Sequence, residues 1–124
     1  LALPESHVSI APTIKELGFG VWEGKPFWEL KASPVYPADP EARYTWRPEG
    51  GESYSDGKAR LSDWLATLTE PTVVVAHGAI GRCLIGHLTN LSVRDMMGVR
   101  MHQGQYCEIS NGVATWFDGT PGPA

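Results

Sequence analysis

The chain predicts an α/β domain built in layers, on three observations. A capped amphipathic helix precedes an apolar run rich in β-branched residues, a second helix follows that run, and an Asn-Gly hairpin signal lies near the end. Alternation of helical and strand periods over one short chain is the pattern of helices laid on a sheet.

The elements follow in order. Residues 8–14, Val-Ser-Ile-Ala-Pro-Thr-Ile, alternate loosely and predict a short extended segment, an edge strand at most because of Pro12. It leads into Glu16 and a glycine-rich loop. Between Lys25 and Ala32, Phe27, Trp28 and Leu30 predict one short helix, with Trp28 expected in the core. From Ser33 to Gly51, four prolines at 34, 37, 40 and 48 exclude a long regular element and predict a lid-like excursion. Ser53 with Asp56 forms a capping-box signature for a helix whose buried face is Leu61, Trp64, Leu65 and Leu68, stopped by Glu70-Pro71. Thr72–Ala76 is almost wholly apolar and predicts a buried parallel strand. His77-Gly78 turns out of it into a helix running from near Ala79 to about Asn90, with Ile80, Leu84, Ile85 and Leu88 buried. Ser92 and Asp95 cap a further short helix broken by Gly98. Finally Gln105–Ile109 and Val113–Phe117 flank Asn111-Gly112, the pair suited to a type I′ turn.

At 124 residues and 42% hydrophobic content the chain fits one domain. Ten Lys+Arg against 14 Asp+Glu, net charge -4, form no basic stripe, which argues against nucleic acid or an anionic membrane as partner. The longest apolar run is far below the roughly 20 residues of a membrane span. Cys83 and Cys107 form no CxxC, and His7, His77, His87 and His102 are scattered, so no metal cluster is expected. Both thiols are expected reduced and buried in a cytoplasmic protein. The opening at Leu1 without a methionine predicts a piece of a longer protein, and residues 119–124 predict a disordered tail.

Two places carry chemistry. A histidine at the carboxyl end of a strand, followed by a helix, lies where open α/β sheets bind ligands. The first N–H groups of that helix, from Gly78, Ala79 and Ile80, would face a bound anion, and a His77 imidazolium would offset its charge. The alternative, a strand-end histidine bonded to backbone, stands level with it. Glu16 precedes Gly18 and Gly20, and Phe19 and Trp22 supply an apolar wall suited to a general acid. Most loop glutamates, however, are simply solvated. Gly18, Gly20 and Gly24 fit neither the dinucleotide nor the P-loop spacing, and no G-x-S-x-G occurs.

Taken together, Glu16-Leu-Gly-Phe-Gly-Val-Trp-Glu-Gly24, Gly50-Gly-Glu-Ser53 with Arg60, and Val74-Val-Ala-His-Gly-Ala-Ile-Gly-Arg82 resemble the histidine phosphatase (phosphoglycerate mutase-like) superfamily in order and spacing. The resemblance implies a three-layer α/β/α fold and phosphoryl transfer through a phosphohistidine, with no metal or cofactor. It casts Glu16 as proton donor and His77 as the second active-site histidine. Gly78 and Ala79 become the adjoining phosphate-binding positions, Phe19 and Trp22 become pocket residues, and Glu52, Ser53 and Arg60 take a structural role. Trp22-Glu23-Gly24 resembles the phosphatase branches more than the mutases. The family's nucleophilic Arg-His-Gly and its Ser-x-Leu-x-Arg-Ala segment do not occur here. The expectation is therefore an N-terminally incomplete domain spanning residues 1–124, a phosphomonoester hydrolase when intact and inactive alone. A non-enzymatic paralogue that binds a phosphorylated ligand or a protein, and a mutase-like phosphotransferase, are the alternatives. Phosphorylated small molecules are the expected substrates. An unpaired edge at Thr72–Ala76 predicts self-association.

Overall fold

The computed structural model describes residues 4–119. Its best-formed helix starts where the capping box predicts. The Ser53 side chain accepts the Asp56 N–H and the Asp56 carboxylate accepts the Ser53 N–H, satisfying two donors at the start of helix α3, Tyr54–Leu65. Leu61 is fully buried in its middle. The helix closes earlier than Glu70-Pro71 suggests. The Ala66 N–H donates to the Ser62 and Trp64 carbonyls, and the Thr67 hydroxyl donates to the Trp64 carbonyl at 2.6 Å.

Helix α4, Gly78–Leu88, begins at His77 and packs along α3. Ile80, Cys83, Leu84 and Ile85 are buried, and with Leu17 and Leu61 they make the core, edged by Ile14, Tyr54, Trp64 and Leu65. A Cβ on buried Gly57 would overlap the Leu17 side chain, so α3 lets the Glu16 loop lie directly on it. Leu88, expected in the core, is exposed because the helix runs past the packed surface.

Three further helices are short, six residues each. Helix α1, Phe27–Ala32, buries Leu30 but leaves Trp28 68% exposed, which corrects its expected place in the core. Within the Ser33–Gly51 excursion lies helix α2, Pro40–Thr45, which the proline count obscured. Pro40 stands in the first turn, where its missing N–H is harmless, and Asp39 caps it. Helix α5, Val93–Gly98, is capped by Ser92 as expected, and α2 packs against both α3 and α5.

Strands β1, Gln105–Ser110, and β2, Val113–Asp118, pair antiparallel through Asn111-Gly112, both at positive φ. They are the only ladder among the described residues, and they pair with each other. Thr72–Ala76 therefore joins no sheet, and the buried parallel strand expected there is not formed. Val73 is 68% and Val75 91% exposed. Strand burial needs a neighbouring chain to take the backbone N–H and C=O groups, and no described segment does so. The same holds at residues 8–14, where exposed Val8 and Ile10 precede a 3-10 turn, Pro12–Ile14, in place of a strand. Cys83 is buried as expected, whereas Cys107 is only half-buried on the hairpin. Of the expected tail, Gly119 donates to the Gly104 carbonyl at 2.6 Å, and residues 120–124 lie outside the described residues.

Candidate active site

Leu17, buried against α3, fixes the backbone next to Glu16, whose half-buried carboxylate turns to the start of α4. Its Oε2 accepts the Ala79 N–H at 3.0 Å and its Oε1 accepts the Ile80 N–H at 2.9 Å, across 63 and 64 residues of chain. Oε1 also accepts the Leu17 N–H at 2.9 Å. Glu16 thus accepts from two of the N–H groups that the start of a helix leaves without an intrahelical partner.

The sequence predicts those N–H groups to face a bound anion. In the structure Ala79 and Ile80 instead face Glu16, and the Gly78 N–H and the exposed His77 imidazole have no hydrogen-bond partner among the described residues. The His77 carbonyl accepts the Gly81 N–H at 2.8 Å, which starts the helix and orients the residue at the helix mouth. Glu16 and His77 are thereby brought to the same helix end.

The loop carrying Glu16 is clasped by the Gly-Glu-Ser segment. Glu52 N–H donates to the Gly18 carbonyl at 2.8 Å, and Gly18 N–H donates to Glu52 Oε2 at 2.8 Å. Val21 N–H donates to the Glu49 carbonyl at 3.0 Å, an approach so close that a Cβ at Gly20, φ +55, would overlap that oxygen. Arg60 forks onto Glu52, at 3.0 Å and 3.1 Å. That hydrogen-bonded guanidinium is the main reason the Glu52 carboxyl lies below the usual carboxylate range. Burial pushes the Cys83 thiol up to about 11, with the Glu16 charge adding to it.

Phe19 and Trp22 lie on the other side of the loop, where they line a shallow cavity of about 190 Å³ with Glu23, Lys25, Phe27 and Leu30. Glu16 and His77 do not line it. The Lys25 ammonium sits 4.9 Å from the Trp22 ring centroid, a cation facing a π surface. Lys25 and Phe27 escaped sequence reading, since only folding of the loop onto α1 brings them to the aromatic pair. Arg82, the last residue of the third motif, is partly buried and donates to the Tyr54 hydroxyl at 2.6 Å and the Val99 carbonyl at 2.9 Å, contacts that its motif does not signal. Among the described residues no group of three His, Cys, Asp or Glu could hold a metal ion, and no helix is long and apolar enough to cross a membrane.

An α/β domain with a carboxylate and a histidine converging on one helix N-terminus is the class that fold and site define. The model of the histidine phosphatase superfamily (branch 1) matches residues 2–117, and the chain belongs to that superfamily, with its α/β fold. The fructose-2,6-bisphosphatase of Saccharomyces cerevisiae is 31% identical over 97 residues, covering 72% of this chain and 21% of that protein. The native structure of a mycobacterial glucosyl-3-phosphoglycerate phosphatase is similar with a TM-score of 0.59 and 27% identity, over 71% of this chain and 48% of that one. Its complex with inorganic phosphate reaches a TM-score of 0.64 over 89% of this chain and 62% of that one, at 24% identity. The chain thus spans less than two thirds of each of these relatives.

Proposed function

We propose that this chain supplies the proton-donating and phosphoryl-stabilising half of a phosphohistidine-type phosphomonoester hydrolase. The observation that carries the proposal is the docking of the Glu16 carboxylate on the helix start that His77 opens. In this reading a histidine of the Arg-His-Gly kind, which these 124 residues lack, attacks phosphorus. The P–O bond to the leaving group breaks, and that oxygen takes the Glu16 proton. Water then cleaves the phosphohistidine, giving its proton to the Glu16 carboxylate. His77 and the Gly78 N–H stabilise the phosphoryl oxygens, with Ala79 holding the acid in place. On the family pattern Phe19 and Trp22 receive the organic part of a phosphorylated small molecule, in a cavity that Glu16 and His77 do not line. The free thiols of Cys83 and Cys107 support a reducing, cytoplasmic setting.

Phosphate release from p-nitrophenyl phosphate tests this, with the chain alone and with a segment bearing Arg-His-Gly supplied in trans or by fusion. The expected result is no turnover alone and turnover in the complemented form, reduced by about 10²-fold or more in Glu16→Gln and His77→Ala. Turnover by the chain alone, abolished in His77→Ala, would overturn the need for an outside nucleophile. Binding of inorganic phosphate without turnover in either form would favour a non-enzymatic, phosphate-binding role.

A further inference from the structure

Glu16 is gripped from behind as well as in front. Arg60, on α3, sends Nη2 to the Glu16 carbonyl at 3.3 Å and Nη1 to the Thr13 carbonyl. Its Nε and Nη2 meanwhile fork onto both oxygens of Glu52. Glu52 in turn takes the Gly18 N–H, so a single bidentate pair fixes peptide groups on both sides of Glu16. The pair is largely withdrawn from solvent, with side chains 19% and 27% exposed, and held by α3, the most regular part of the core. A planar fork with donors at fixed angles can brace several carbonyls at once, which a lysine ammonium on a flexible stem cannot do.

On that geometry we infer that Arg60 and Glu52 are positioning residues for Glu16, holding its carboxylate in line with the Ala79 and Ile80 N–H groups without touching substrate. The inference rests on the reading of Glu16 as acid for its functional meaning, but the placement itself can be read without turnover. A misplacement of about 1 Å in a reacting group costs on the order of 10²-fold in rate. A loop rich in glycine, as at Gly18 and Gly20, has little stiffness of its own to prevent one.

The same helix start provides a control. Arg47 and Asp56 form a second bidentate pair, at 2.8 Å and 2.7 Å, that reaches neither Glu16 nor its neighbours. Amide exchange measured by NMR on the chain tests the inference. In Arg60→Lys and Glu52→Gln the Ala79 and Ile80 amides are expected to exchange at least about tenfold faster, with Leu84 and Ile85 unchanged as reporters of α4. Arg47→Gln is expected to leave all four unchanged. Unaltered Ala79 and Ile80 exchange would overturn the inference. So would parallel loss of protection at Leu84 and Ile85, which would make the pair a support of the whole fold. In the complemented enzyme the same variants are expected to lower kcat by about 10–100-fold with KM within twofold. If Glu16→Gln leaves turnover intact the acid reading fails, and the exchange result still decides the positioning.

Discussion

Glu16 and His77 share a helix end but stand in opposite situations, one saturated with hydrogen bonds and the other open to solvent. The Glu16 carboxylate accepts from Leu17, Ala79 and Ile80, so Glu16→Gln, which turns an amide N–H toward one of these donors, is expected to cost about 1–2 kcal/mol of stability. His77→Ala removes a side chain that is exposed, and it is expected to stay within about 0.5 kcal/mol. Urea unfolding of the two variants checks this, and equal losses would contradict it. The sequence marks both positions as candidates because each sits in a short motif with its own chemistry. Their junction was not legible, since nothing local says that a carboxylate will cap a helix 63 residues away. Trp28 shows the same limit, because a six-residue helix is too short for its period to choose a buried face.

At the scale of elements, capping chemistry was the most readable signal. Ser53 with Asp56 and Ser92 with Asp95 locate two helix starts as expected, and Asn111-Gly112 locates the hairpin, since these are contacts within a few residues. Thr72–Ala76 departs from the expected strand for the opposite reason. Its valines report a preference for burial, but a strand is completed only by a partner elsewhere in the chain. The start of α3 also gives the chain a pH dependence. Glu52 is held below its ordinary pKa mainly by Arg60, and Asp56 mainly by Arg47. A depressed folded-state pKa adds stability that is present above the unfolded values, about 4.3 for Glu and about 3.9 for Asp, and is lost as pH falls through the folded ones. The urea midpoint is therefore expected to decline below about pH 4.5, and Arg47→Gln is expected to flatten that decline. A midpoint independent of pH between 6 and 3 would refute the assignment.

For the molecule as a whole, the valines of residues 73–75 are exposed, as are Val8 and Ile10. An apolar, uncharged run with free backbone groups invites pairing with a like surface, and a net charge of -4 is small opposition. The chain is expected to self-associate at micromolar concentration, and Val75→Lys to shift sedimentation toward the monomer without loss of helix signal. A monomer in both would count against it.

The bonds from Glu16 to Ala79 and Ile80 also bear on time. They close loops of 63 and 64 residues, and the entropy of closing a loop of that size costs about 3–4 kcal/mol before any such contact is gained. Contacts between α3 and α4 close a shorter stretch of chain, so the expected order is helix packing first and docking of the carboxylate afterwards. Glu16 would then be among the last parts of the molecule to arrive and the first to let go. Weakening it would hasten unfolding while leaving the folding rate nearly untouched.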